Sequence, residues 1–418
     1  MQNLTRLLKK IKNSWIKSQI PLKKLIYIKK IDVFLIFVIC IIISIISSYE
    51  LVTKPTQNFI FLSTVIINFF EILICCGVLV YVSKKEDQTI DTRQVFLLIS
   101  LLLFAQILKI NLNTISPLPI IVPLSLIISQ GFGTITTLAW ISIAFIYWPN
   151  SPNEINEYLL LITFVSSCIV AILGGKIRSR AQLLQLSIFL PLGAFICQGF
   201  FLGIDNNDLY NLNIQNLFSK QGNIISDSFL LSTLMLLAII LMPILESMFG
   251  LVTKARLLEL ADQEKPLLRR LLTEAPGTFE HTLMLCGLAE EATRMIGGNV
   301  DLVRIGALYH DVGKLHAPNW FIENQNGRNN PHDELDNPLE SAKILQNHVD
   351  KGLEIARKYR LPKPISNFIP EHQGTLKMGY FLSKAKEKDK NVSEKNFKYK
   401  GPIPQSKETA ILMLADGC

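Results

Sequence analysis

The sequence predicts an all-α protein in which a polytopic bundle of transmembrane helices precedes an all-helical soluble domain. Hydrophobic residues make up 49% of the chain and charged residues only 18%, against roughly 25% charged in a soluble domain. The deficit is confined to about the first 250 residues, and no stretch beyond them shows the alternation of a strand. We divide the chain into a basic tail (1–31), a transmembrane domain (32–252), a juxtamembrane helical linker (253–277) and a soluble domain (278–418).

The transmembrane domain is predicted to contain eight spans. A span needs about 20 mainly apolar residues, and the glycines of "SQGFGT" divide one overlong run into two short spans. The predicted spans are Val33–Val52, Phe59–Val82, Val95–Ile110, the two halves of Pro117–Trp148, Tyr158–Leu173, Leu183–Ile204 and Phe229–Gly250. Eight spans place both chain ends on one side of the membrane, together with the basic loops Lys84–Arg93 and Lys176–Arg180.

The net charge of +8 is concentrated next to the first span. Nine Lys or Arg residues lie between Arg6 and Lys30, and no acid precedes Asp32. This pattern marks a cytoplasmic membrane flank that faces anionic lipid, rather than an arm for a nucleic acid polymer. A cleaved targeting peptide is the alternative. The soluble domain is therefore expected on the cytoplasmic side, or on the stromal side if the membrane is a plastid's rather than a bacterium's.

Two further features limit the function classes. Seven scattered cysteines without a CxxC pair favour neither a disulfide framework nor a zinc knuckle. Glu71 lies in the middle of the second span, which leaves a transport path open as a minor alternative.

The soluble part reads as a series of helices. Pro266 is expected to interrupt the linker helix, and Thr278 to cap a helix that runs to about Ile296. Other helices are predicted over 302–314, from Pro338 with Asn337 as N-cap to about 359, and from 407 onward. The charged, Pro-rich stretch 383–404 is expected to be an exposed loop.

All six histidines fall in this soluble part. At helical spacing, His281 shares a face with Leu285, and His348 shares one with Leu345, so both point inward. The adjacent pair His310–Asp311, then His372 and Asp416, add further ligand types in apolar surroundings. A satisfied core histidine remains the alternative for each one alone. Together, imidazoles and carboxylates suit two first-row transition metals, with a carboxylate as the bridge.

Lys314 follows Asp311 by one helical turn, so its ammonium could neutralise a phosphate oxygen. His316 and His332 lie outside the set, either as loop hydrogen-bonding residues or as contacts to a nucleotide.

These motifs resemble those of a known family. The stretches "RLLTEAPGTFEHTLMLCGLAEEA", "GALYHDVGKLHAPNWFIENQ", "PEHQGT" and "GPIPQSKETAILMLADGC" are similar to the membrane-bound, seven-transmembrane HD-domain (HDIG) phosphodiesterases that hydrolyse cyclic di-AMP. The resemblance implies an HD metal-dependent phosphohydrolase domain behind one leading span and a seven-helix domain. It implies two divalent metals, Mn or Fe, which activate a water molecule that opens cyclic di-AMP to the linear dinucleotide.

The resemblance also implies roles for single residues. One metal is expected on His281, His310, Asp311 and Asp416. The other is expected on His348 and His372, with Asp311 as the bridge. Asp311 and Lys314 are the expected catalytic residues.

The chain departs from the family pattern at three places. The family's extracytoplasmic domain after the first span is missing, Gln373 stands where a second adjacent histidine is usual, and the C-terminal helices are expected to be truncated after Asp416. A catalytically impaired protein that binds metal or nucleotide as a regulator is therefore the alternative, and another phosphohydrolase specificity is a further one. The sequence leaves the oligomeric state open.

Overall fold

The computed structural model describes residues 38–45, 48, 58–85, 92–111, 116–146, 157–205, 224–325, 327 and 329–418. Within these ranges the fold is all-α, and the only β pairing is an isolated bridge between Lys377 and Lys398. The predicted basic tail and most of the predicted first span lie outside the described residues, although 38–45 are helical. The chain separates into two compact units, one of residues 1–128 and 132–171 and one of residues 129–131 and 172–418.

Seven apolar helices occupy the described part between residues 58 and 249. They are α1 (Asn58–Lys85), α2 (Thr92–Asn111), α3 (Leu118–Phe132), α4 (Thr134–Ile146), α5 (Glu157–Gly174), α6 (Arg180–Asp205) and α7 (Ile224–Phe249). By length and composition, α1, α2, α6 and α7 can cross a membrane, and the other three are shorter. The break between α3 and α4 falls at Gly133, whose φ of 88° suits glycine alone.

In the first unit, the described helices bury many apolar side chains against one another. The Trp140 ring of α4 is fully buried, and its Nε1 donates to the carbonyl of Leu98 on α2 at 3.1 Å. Glu71 lies on an exposed face of α1. The transport alternative therefore gains no partner for this carboxyl from the described residues.

The second unit contains α6 and α7, which pack on each other, and the soluble helices that follow them. These are α8 (Lys254–Leu260), α9 (Pro266–Glu274), α10 (Pro276–Met295), α11 (Val300–Tyr309), α12 (Pro331–Leu335), α13 (Pro338–Lys358), α14 (Lys363–Ser366), α15 (Phe368–Glu371), α16 (Gly379–Lys388) and α17 (Lys407–Asp416). As predicted, Pro266 starts a new helix and Asn337 caps α13.

The soluble helices share one main core. Leu267, Leu268 and Leu271 of α9 are almost fully buried in it, together with Phe279 of α10 and Tyr309 of α11. Burial of each such side chain stabilises the fold by about 1.5–3 kcal/mol. The core lies directly beneath the turn that carries His310 and Asp311, so packing fixes the backbone of that turn.

Three local predictions were wrong. Thr278 is not the N-cap of α10, because Pro276 takes the first helical position and starts the helix earlier. The helix predicted over 302–314 ends at Tyr309, and a 3₁₀ turn, Val312–His316, follows it.

The predicted loop 383–404 is helical to Lys388. Phe381 and Ala385, one turn apart, bury with Phe397 against α13 in a second apolar cluster. The helical spacing of Phe381 and Ala385 is hard to see in the sequence, because many lysines surround these two residues.

Candidate metal centre

The structure brings all six predicted ligands into one cluster from five separate places in the chain. His281 comes from α10, His310 and Asp311 from the end of α11, His348 from α13, His372 from the end of α15, and Asp416 from the end of α17. His310, Asp311, His348 and His372 are at most 2% exposed. We call these six residues the ligand cluster.

Backbone geometry lets both members of the His310–Asp311 pair face the cluster. Asp311 has φ −106° and ψ 14°, close to the sparsely populated bridge region in which many active-site residues lie. The tight 3₁₀ turn behind it depends on Gly313. A Cβ there would lie 1.7 Å from the carbonyl oxygen of His348, so only glycine lets this turn approach α13 so closely.

Asp311 is at the centre of the ligand cluster. Its Oδ2 lies 3.2 Å from His310 Nε2, and its Oδ1 lies 3.6 Å from His348 Nε2 and 3.5 Å from His372 Nε2. On the other side, Asp416 Oδ1 is 2.9 Å from His281 Nε2 and 3.8 Å from His310 Nε2.

Backbone carbonyls set the orientation of three histidine rings. Nδ1 of His310 lies 2.7 Å from the Ala307 carbonyl, Nδ1 of His348 lies 2.5 Å from that of Leu345, and Nδ1 of His372 lies 3.1 Å from that of Phe368. A carbonyl can only accept, so Nδ1 carries the proton in each ring. Each Nε2 is left directed at the cluster, which is the arrangement of metal-ligating histidines.

Charge in the cluster is unevenly distributed. Burial alone lowers the pKa of His310, but Asp311 and Asp416 outweigh it and raise the pKa to about 10. Burial, helped by His310, lowers the pKa of His372 to about 3, and burial also lowers that of His348. Without metal, His310 therefore holds a proton while His348 and His372 stay neutral, the form that binds metal.

The donor set fits divalent transition metals. Two groups of ligand atoms each lie within 4.8 Å of one another: His281 with His310 and Asp416, and His310 with Asp311 and His372. Among the described residues, His310 Nε2 and Asp311 Oδ1 are buried without a hydrogen-bond partner of suitable geometry. Orphaned buried polar atoms are rare and costly, and cations bound between them would satisfy both.

Lys314 adjoins the cluster but is held by carboxylates. Its Nζ lies 2.9 Å from Asp311 Oδ2 and 2.6 Å from Glu323 Oε1. Burial would lower the pKa of Lys314, but the two carboxylates outweigh it and raise the pKa above its usual range. The side chain is therefore a fixed positive charge beside Asp311.

Sequence reasoning missed several neighbours of the cluster. Glu323 accepts from Thr278 Oγ1 at 3.0 Å as well as from Lys314. The rings of Phe321 and Tyr399 each lie 5.9 Å from the His348 ring. None of these residues has a local signal, because each reaches the cluster only through the fold. Gln325 and Asn330, which follow Glu323 in the sequence, form a hydrogen bond with each other.

A buried carboxylate next to His372 was also missed. Glu371 Oε2 accepts from Gln405 N at 2.8 Å and from Thr409 Oγ1 at 2.7 Å. This links the helix that ends at His372 to the start of α17, which carries Asp416 at its end. The motif "PEHQG" placed the histidine correctly but gave no hint of this role for its glutamate.

The two remaining histidines form loop hydrogen bonds, the first of the two alternatives. Nδ1 of His316 lies 2.7 Å from the Gly313 carbonyl, and Nε2 of His332 lies 3.0 Å from the Trp320 carbonyl. Neither belongs to the ligand cluster.

Two regions of the chain are similar to known protein families. Residues 61–253 match the model of a family described as "7TM receptor with intracellular HD hydrolase", and residues 278–418 match that of the HD domain. The chain therefore carries one region similar to this membrane receptor family and a second region similar to the HD domain. Both matches follow the order predicted from the sequence, a membrane domain and then an HD domain.

Individual relatives match parts of the chain. The Uncharacterized protein slr0104 of Synechocystis sp. is 52% identical over 187 residues, 44% of this chain and 23% of that protein. The Cyclic-di-AMP phosphodiesterase PgpH of Bacillus subtilis is 39% identical over 261 residues, 62% of this chain and 36% of that protein. The chain thus spans about a quarter to a third of the length of these relatives.

A solved structure is similar as well. It is the crystal structure of the HD domain of Listeria monocytogenes phosphodiesterase PgpH in complex with cyclic di-AMP. Its sequence is 42% identical, and the match covers 37% of this chain and 72% of that one with a TM-score of 0.36.

Proposed function

We propose that this membrane protein is a metal-dependent phosphodiesterase that opens a cyclic dinucleotide, cyclic di-AMP, to its linear form. The observation that carries the proposal is the ligand cluster: four histidines and two aspartates converge, with two buried atoms left unsatisfied. The similarity to phosphodiesterases named for cyclic di-AMP supports the substrate.

The proposed metal ligands are those expected from the sequence. His281, His310, Asp311 and Asp416 would hold one ion, and His348 and His372 the other, with Asp311 between them. Such ions, Mn or Fe, supply Lewis-acid activation of the phosphodiester and of a water molecule.

The chain's own residues supply orientation and charge. The three Nδ1–carbonyl contacts fix the imidazoles, so the ligand atoms are in place before substrate arrives. Lys314 provides a permanent positive charge 2.9 Å from Asp311, where it can bind a phosphate oxygen whose charge grows in the transition state. Burial of the cluster strengthens these electrostatic interactions, because little water screens them.

Activity of the full chain tests this proposal. We expect the protein purified with Mn²⁺ or Fe²⁺ to convert cyclic di-AMP to the linear dinucleotide. Lys314→Ala should lower kcat by about 10²-fold or more and retain metal, because removal of one transition-state donor costs about that much. Lys343→Ala is the matched control, since Lys343 is exposed and its ion pair with Glu340, one turn away, is exposed as well.

The regulator alternative makes a different prediction. If the metal-bound protein binds cyclic di-AMP without turnover, it is a binding protein, and the phosphodiesterase proposal fails. Turnover of another cyclic dinucleotide in preference to cyclic di-AMP would revise the substrate only.

We also propose that the HD domain lies on the side of the membrane that holds the basic tail and basic loops, the cytoplasmic or stromal side. Cys418 is exposed, and a variant that retains only this cysteine should resist a membrane-impermeant thiol reagent in sealed, right-side-out vesicles. Labelling without permeabilisation would place the domain on the opposite side.

A further inference from the structure

An ion-pair cluster joins the last two apolar helices to the first soluble helix. Arg180, the first residue of α6, contacts Glu259 Oε1 of α8 at 2.5 Å and Glu246 Oε2 of α7 at 3.7 Å. Glu246 is only 7% exposed, and its Oε1 accepts from the Thr253 hydroxyl at 2.5 Å. We call Arg180, Glu246, Thr253 and Glu259 the junction cluster.

The guanidinium suits this position for a geometric reason. Its planar fork presents several donors at once, whereas a lysine ammonium acts as a point charge. Arg180 therefore bonds Glu259 while it neutralises Glu246, whose burial would otherwise leave a carboxylate poorly compensated. The same Thr253 hydroxyl also caps α8 by accepting from Arg256 N at 3.1 Å.

A second contact continues from α8 to the ligand cluster. The Tyr309 hydroxyl donates to the Leu260 carbonyl, one residue after Glu259, at 2.9 Å. Tyr309 is 1% exposed and immediately precedes His310 and Asp311.

We infer that Arg180 and Tyr309 are positioning residues through which the membrane helices α6 and α7 fix the turn that carries His310 and Asp311. The contacts run from Arg180 to Glu259, from α8 to the Tyr309 hydroxyl, and along one peptide unit to the ligands. This inference rests on the proposed function, and it names the contacts by which α6 and α7 would position that site.

The linkage predicts a specific energetic signature. Two residues that act on one element give non-additive effects, whereas independent residues give effects that multiply. Proximity in a structure does not by itself demonstrate such coupling, so the double variant is the decisive measurement. Displacement of the ligands by about 1 Å can cost 10²-fold in rate, and we expect at least about tenfold from each single change.

The experiment uses the full chain in detergent or vesicles, as Arg180→Ala, Tyr309→Phe and the double variant. Mn²⁺ affinity and cyclic di-AMP turnover are both measured, and thermal melting is followed to separate positioning from loss of fold. Arg178→Ala is the matched control. Arg178 lies two residues from Arg180, and its substitution removes the same charge. Its side chain, however, is 64% exposed, and its ion pair is with Asp301 at 3.4 Å.

We expect each single variant to weaken Mn²⁺ binding or kcat by about tenfold or more, with KM little changed. The double variant should be no more than about threefold worse than the stronger single variant, and Arg178→Ala should stay within about twofold of wild type. Three results would each overturn the inference. The losses of the two single variants could multiply in the double variant, the single variants could leave Mn²⁺ affinity and kcat unchanged, or Arg178→Ala could lose as much as Arg180→Ala.

Two provisions keep the test decisive. If Arg180→Ala does not fold, Arg180→Lys replaces it, because it keeps the charge and removes the fork. If the wild-type chain binds Mn²⁺ but does not hydrolyse cyclic di-AMP, the proposed function fails, while the Mn²⁺ affinities still test the linkage.

Discussion

Replacement of Gly313 by alanine should damage the ligand cluster without changing any ligand. The added Cβ would lie 1.7 Å from the His348 carbonyl oxygen and 2.6 Å from Gly352 N. Ordinary contact begins at about 3.4 Å, so the 3₁₀ turn and α13 must separate by about 1.7 Å. Both colliding atoms belong to the backbone and cannot rotate away.

The magnitude follows from this displacement. Overpacking of a well-packed interior costs about 1–3 kcal/mol, and displacement of reacting groups by about 1 Å can cost about 10²-fold in rate. We therefore expect Gly313→Ala to lower the melting temperature, to reduce the metal content per chain and to lower turnover of cyclic di-AMP by about 10²-fold or more.

Gly287→Ala is the matched control for this substitution. Gly287 lies inside α10, and a Cβ there meets nothing within 4 Å, so alanine should stabilise the helix by about 0.5–1 kcal/mol. Metal content is measured by elemental analysis of the purified chain, and turnover by separation of cyclic and linear dinucleotide. Wild-type metal content and turnover in Gly313→Ala would refute the argument that this close approach positions the site.

Three other predictions follow from the ligand cluster. Asp311→Ala should reduce the metal content from two ions to one or none, whereas His332→Ala should keep both; two ions in Asp311→Ala would exclude a bridging role. Because His310 holds a proton in the metal-free site, with its pKa raised to about 10, Mn²⁺ must displace that proton. Mn²⁺ affinity should therefore rise from pH 6 to pH 9 with measurable proton release, and a pH-independent affinity would contradict this. Glu371→Ala should lower the free energy of unfolding by about 1–3 kcal/mol, because the buried Thr409 hydroxyl of α17 and the Gln405 amide just before it lose their acceptor; an unchanged melting temperature would argue against this link.

The order of a membrane domain and a helical HD domain could be predicted from the sequence alone. Apolar runs of span length and basic flanks are local properties, so a short window of the sequence is enough to detect them. The N-cap of α13 and the inward faces that carry His281 and His348 are local as well, because helical spacing relates residues three and four apart. The family motif added the expectation that these ligands belong together.

What surrounds the ligand cluster was decided only by tertiary structure. His281 and Asp416 lie 135 residues apart, and helical periodicity does not specify which helices pack together or in which register. Such contacts place Glu323 beside Lys314 and Tyr399 beside His348. They also form the hydrogen bonds that Glu371 accepts. The link from Arg180 to Tyr309 depends on them too. The sequence shows that a residue carries a charge or a hydroxyl, but it does not show which residue is its partner.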